Sequence, residues 1–189
     1  MITSIDSFFQ RRIDSSIIEI DNLSQFGLPA EFLNFLKSYT IEIDINLASF
    51  LNLSHQTKGS PLIDRIESYF QTGLELRWEE VPNFKREYIS IGSFDGGEIV
   101  VKQGAHMHNE SHVYMWEITS GHFEPIEKIA NSFELLALTL ANHDILRFNN
   151  KEDIRFNKYD QYESDCYRIV DQFNPDLSEA GRKLWRWLV

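Results

Sequence analysis

Residues 89–136 hold three segments whose order constrains the fold more tightly than any other part of the chain. Ile89-Ser-Ile-Gly-Ser-Phe-Asp-Gly-Gly-Glu-Ile-Val-Val101 reads as a strand, a glycine-punctuated turn and a second strand. The turn falls at Phe94-Asp95-Gly96-Gly97, because positive φ at a hairpin tip is cheap only for glycine, asparagine or aspartate. His112-Val-Tyr-Met-Trp-Glu-Ile118 reads as a third strand, with Tyr114 and Trp116 two apart and therefore on one sheet face. Ile129-Ala-Asn-Ser-Phe-Glu-Leu-Leu136 opens an amphipathic helix that continues through Leu138 and Leu140. The run contains turn formers and core positions but no evident nucleophile or base, which favours a binding scaffold over an active site.

Upstream, Ile5, Phe8, Phe9, Ile13, Ile17 and Ile20 recur at helical spacing, so Thr3 to Ile20 is expected to be a helix, with Thr3 and Asp6 as a weak capping box. Leu28 to Tyr39 is a second helix: Pro29 suits its first position, Glu31 its positive end, and Phe32, Phe35, Leu36 and Tyr39 its buried face. Ile41 to Leu47 alternates as a half-buried strand. A polar loop over 54–61 precedes a helix bearing Leu62, Ile63, Ile66, Tyr69 and Phe70. A strand bearing Leu74, Leu76 and Trp78 follows. After Val113 to Ile118, Gly121-His122 turns into a short edge segment at Phe123-Glu124-Pro125.

Residues 149–162 are the most polar stretch and the best linker candidate. A short helix with Tyr167, Ile169, Val170 and Phe173 comes next. Asp176 is expected to cap a final helix with Leu177, Ala180, Leu184 and Leu188.

Composition narrows the function classes. A 42% hydrophobic share with 13% aromatics supports a packed core. No apolar run approaches the roughly 18 residues of a bilayer span, and no secretory leader pattern is evident, so a soluble, cytoplasmic protein is expected. Cys166 is the single cysteine, which excludes an internal disulfide and a cysteine-based zinc site. Asp plus Glu number 29 against 18 Lys plus Arg, a formal net charge of −11. That balance disfavours nucleic acid as a direct ligand and favours a basic protein partner, since steering raises association rates by roughly 10- to 1,000-fold. Acidity also keeps proteins soluble without any partner.

Several constellations carry both a chemical and a plain reading. His106-Met-His-Asn-Glu-Ser-His112 has metal-like composition: His106, His108 and His112 offer three nitrogens and Glu110 an oxygen. Solvated histidines of an inter-strand loop are the plain account, and no metal or other cofactor is expected. Asp95 with Glu98, and Glu79 with Glu80, lack the fixed separation of glycosidase carboxylates, and Asp95 is a turn former. Gly92-x-x-x-Gly96-Gly97 is followed by strand-forming Glu98-Ile-Val-Val, not by a phosphate-binding helix. Ser132 lacks a glycine-flanked elbow, so its hydroxyl is expected to meet backbone at a helix start, and Cys166 reads as a resting thiol. Tyr114 and Trp116 are core residues or an exposed partner platform. Trp185 and Trp187 cannot share one helical stripe, so one is expected to be partly exposed or to dock onto the sheet.

In this order, Leu28-Pro29-x-x-Phe32-x-x-Phe35-Leu36-x-x-Tyr39, Ile91-Gly92-x-x-Asp95-Gly96-Gly97-Glu98, Val113-Tyr114-x-Trp116 and Ile129-Ala130-x-Ser132-Phe133-x-x-Leu136 resemble the SUKH superfamily, the Smi/Knr-like domains, over roughly residues 15–142. The chain departs from that pattern in having Thr40-Ile41 after Tyr39, in its histidine-rich 103–111 segment and in everything beyond Asn142. The resemblance implies an α+β fold: a single domain with a central, mostly antiparallel sheet flanked by helices. Residues 1–142 would form the Smi/Knr-like domain and 143–189 a C-terminal helical extension packed on or linked to it.

The resemblance also implies a non-enzymatic immunity protein that binds and neutralises a secreted toxin domain, often a nuclease. Asp95, Glu98, Glu110 and Glu117 supply the acidic surface in that reading, and Tyr114 and Trp116 the anchors. No catalytic residue and no membrane or nucleic-acid contact is expected. A regulatory scaffold with an endogenous partner is the alternative, and a small metal-dependent enzyme using the His106/His108/His112 loop the third.

Overall fold

The computed structural model describes residues 3–11, 27–40, 48–50, 88–94, 97–102, 111–119, 122–123, 126–150 and 159–188. Its architecture is α+β: a mainly antiparallel sheet with helices packed against it. Short strands β1 (Gln10–Arg11) and β2 (Tyr39–Thr40) pair as a separate ribbon. The main sheet runs β3 (Ala48–Phe50), β4 (Tyr88–Phe94), β5 (Gly97–Lys102), β6 (Val113–Thr119) and β7 (His122–Phe123), with β8 (Glu127–Ala130) also pairing β6.

The expected hairpin is present. Phe94 pairs with Gly97, so β4 and β5 lie antiparallel on either side of the expected turn. A bulge between Ser90 and Gly92 leaves Ile91 without an opposite residue on β5, and Ile89 and Ile91, two apart, are both buried. Ile99, Val101, Val113 and Met115 complete the buried face, each at most 1% exposed.

Helices cover or flank that face. In α1 (Ala30–Ser38) the expected stripe of Phe32, Phe35 and Leu36 is buried, with Tyr39 half-buried just beyond as the first residue of β2. Pro29 serves as the cap with extended ψ, one place before the expected position. Next comes α2 (Phe133–Asn149), where Phe133 meets Phe32 and Phe35 edge-on at 4.6 and 4.9 Å. Such aromatic pairs add about 0.5–1.5 kcal/mol beyond their burial.

The start of α2 and the N-terminal segment also differ from expectation. Ile129 and Ala130 belong to β8, and Ser132 caps α2, its Oγ accepting the Leu135 amide at 3.1 Å. The segment from Thr3 to Arg11 is not an α-helix: Ile5–Ser7 forms one 3-10 turn and the chain then enters β1. Asp6 explains the break, because its carboxylate accepts from the Tyr39 hydroxyl and pairs with Arg11, pulling the backbone toward β2 instead of capping a helix.

Beyond α2 the chain returns along α3 (Tyr159–Phe173), longer than the short helix expected, then α4 (Glu179–Leu184) and a 3-10 turn, Trp185–Trp187. Ser178 caps α4, accepting the Gly181 amide at 2.9 Å, where Asp176 was expected. These elements pack on the sheet domain. Trp185 is fully buried and donates its indole N–H to the Ile129 carbonyl at 3.0 Å. Asn174, 1% exposed, accepts the Asn131 amide and donates to Thr139 Oγ1, both at 3.1 Å.

Covered by sheet on one side and by α3 on the other, α2 is buried continuously from Leu136 to His143, so it is not the one-sided helix expected. The junction between residues 142 and 143 lies inside α2. The strands expected at 41–47 and 74–78, the loop at 54–61 and the helix at 62–70 lie outside the described residues. Among the described residues, no helix is long and apolar enough to cross a membrane.

Candidate functional site

The register of β5 and β6 decides which expected surface residues meet. Glu98 lies opposite Trp116 and Val100 opposite Tyr114, so these positions share the face turned away from Ile99, Val101 and Met115. Ser93, Ser90 and Tyr88 of β4 extend the same rows across the hairpin, and Lys102 pairs with Tyr88. Glu117 lies opposite Gly97 with the parity of Val113 and Met115, so the register separates it from Glu98 and Tyr114. Asp95 and Glu110 lie outside the described residues, as do Glu79, Glu80, His106 and His108.

Tyr114 is half-buried and has company. Its ring meets Tyr88 edge-on at 5.4 Å and His112 at 6.3 Å, and Lys102 Nζ lies 5.6 Å from its centroid. Val100 beside it is fully buried. This face is therefore a packed surface bearing a half-exposed tyrosine, intermediate between a plain core and a bare platform. Among the described residues, no group of three or more His, Cys, Asp or Glu is placed to hold a metal ion.

Among the described residues, the strongly shifted titratable groups lie between α2 and α3. His143 is fully buried and edge-on to Trp185 at 5.5 Å. Its Nε2–H donates to the Cys166 carbonyl at 2.9 Å, and among the described residues Nδ1 has no partner. Burial drives its pKa down to about 4, with the Cys166 carbonyl opposing that shift. Burial likewise pushes the Cys166 thiol up to about 11, against a lowering hydrogen bond from Tyr162. A thiol held protonated in the core is a poor nucleophile, in agreement with the resting thiol expected.

Sequence patterning did not single out a cleft of about 400 Å³ lined by Ile5, Glu31, Asn34, Phe35, Ser38, Tyr39 and Glu134. Glu31 Oε1 accepts the Glu134 amide at 3.0 Å, joining the start of α1 to the start of α2. At the margin, Arg11 pairs with Asp6 at 2.6 Å and stacks 4.8 Å from the Tyr39 ring centroid. Desolvation, and then the hydrogen bond to Asp6, raise the Tyr39 phenol above its ordinary pKa, so it remains a donor. The signal for this cleft is the polar set Glu31, Asn34 and Ser38, at helical spacing beside the apolar stripe of α1.

Compared with family models, with curated proteins and with solved structures, the chain matches none of them.

Proposed function

We propose that the chain is a non-enzymatic immunity protein that binds the catalytic domain of a secreted toxin, such as a nuclease, and blocks it through an acidic surface. The observation that carries this reading is the shared outer face of β5 and β6. There the half-buried Tyr114 and the position of Trp116 stand beside Glu98 on an acidic chain. Aromatic anchors ringed by charge are the composition of interface hot spots, and complementary charge speeds encounter with a basic groove. Asp95 and Glu110 complete the proposed acidic contact, whereas the position of Glu117, with the parity of Val113 and Met115, takes no part in it. Among the described residues, the two groups whose proton affinity is strongly shifted, His143 and Cys166, are buried in the core, which fits a packing role.

Co-expression tests the reading. The chain is expected to restore growth of cells producing a toxin encoded by an adjacent reading frame, and Tyr114→Ala with Glu98→Lys to weaken that protection. Unimpaired killing by every such toxin would refute it. A binding module for an endogenous partner would use the same face without any rescue.

A further inference from the structure

The cleft beside α1 takes no part in the β5–β6 surface, and its lining defines a ligand of its own. Glu31, Asn34, Phe35 and Ser38 occupy i, i+3, i+4 and i+7 of α1, a single stripe, and Tyr39 continues the wall into β2. Ile5 and Glu134 face them. The volume of about 400 Å³ lies within the rough range of 300–1,000 Å³ typical of ligand pockets.

Charge decides the class of ligand. The amide at the start of α2, which would otherwise draw an anion, is already satisfied by Glu31, so that end of the cleft is negative and repels anions. Phe35 and Tyr39, with ring centroids 5.0 Å apart, add an aromatic wall, and Ile5 an apolar one. At the margin the same materials already hold a guanidinium. Arg11 pairs with the Asp6 carboxylate and stacks on Tyr39. Carboxylates, a ring face and apolar walls for a methylene stem are the receptor chemistry of arginine, whose planar fork binds carboxylates in pairs.

We propose that this cleft receives an arginine side chain presented by a basic protein partner. The guanidinium meets Glu31 and Glu134, and the stem lies against Phe35, Tyr39 and Ile5. The formal charge of −11 favours a basic protein as its source. Asn34 and Ser38 supply further oxygens to the guanidinium N–H groups.

The intact, isotope-labelled chain should be titrated with N-acetyl-arginine methylamide, with its uncharged citrulline counterpart and with free arginine, following backbone amide resonances. Blocked arginine is expected to shift Asn34, Ser38 and Glu134 saturably, with at least tenfold weaker binding of the citrulline compound. The Glu31→Gln/Glu134→Gln variant should lose the response, and Glu31→Gln retains a carbonyl for the Glu134 amide. Ser38→Leu fills the cleft without changing charge and should lose the response as well. Shifts that are absent, that spread over acidic residues outside the cleft, or that persist in Ser38→Leu would overturn the assignment. Free arginine binding as tightly as the blocked form would overturn the protein side chain as the occupant. None of these outcomes bears on the β5–β6 surface, so the two proposals fail separately.

Discussion

Trp185 reaches across the molecule to Ile129, its indole N–H donating to a backbone carbonyl of β8 at 3.0 Å while the ring is wholly buried. This contact fastens the last turn of the chain to the sheet. Trp185→Phe keeps an aromatic but leaves the carbonyl unanswered, at an expected loss of about 1–3 kcal/mol. Trp185→Ala adds a cavity and should lose about 3–5 kcal/mol. Urea unfolding of the two variants checks the order; equal midpoints for both and the parent would contradict it.

His143 makes stability depend on pH. Its folded pKa of about 4 lies below the ordinary 6.5, so between those values the unfolded chain binds more protons than the folded one. Its contribution is complete above about pH 6.5 and is lost as pH falls toward 4, amounting to about 2 kcal/mol between pH 7.5 and pH 5. Urea midpoints across that interval should fall in the parent and fall less in His143→Gln.

Gly181 is where α4 touches β8. A Cβ there would collide with the Lys128 carbonyl oxygen, a backbone atom that cannot swing aside. Gly181→Ala is therefore expected to lift α4 away and destabilise by about 1–3 kcal/mol or more, despite the better helix propensity of alanine. Tryptophan fluorescence should report the disturbance at Trp185. Unchanged stability and emission would count against this packing.

Ser132 holds the start of α2 through the Leu135 amide. Ser132→Ala should cost about 0.5–2 kcal/mol, and Ser132→Asp should recover most of it. Thermal unfolding of the pair provides the check, with no recovery arguing against a capping role.

Legibility of the sequence followed the locality of the forces. The β4–β5 hairpin was readable because Gly96 and Gly97 punctuate alternating residues, and α1 because Phe32, Phe35 and Leu36 repeat at helical period. The 3-10 turn at Ile5–Ser7 was not, since Asp6 there accepts a hydrogen bond from the Tyr39 hydroxyl, 33 positions away. Nor was the all-round burial of α2, which follows from α3 arriving on its second side. Ile129 and Ala130 continued the apolar pattern of α2 smoothly, and only pairing with β6 makes them strand. At the candidate surface, strand parity alone brings Tyr114 and Trp116 to one face and sets Glu117 on the other, whereas placing Glu98 opposite Trp116 needs the register. The cleft at Glu31 and Glu134 depends on two helix starts 103 positions apart and had no local signature beyond a polar stripe.

If the chain recognises a basic toxin domain, a titration of the purified chain against the products of neighbouring reading frames, at low and at high salt, will show it. The expected result is tight one-to-one binding, an association rate that falls steeply as salt rises, and loss of the partner's toxic activity in the complex. No binding to any neighbour, or binding indifferent to salt that leaves the toxin active, would contradict it.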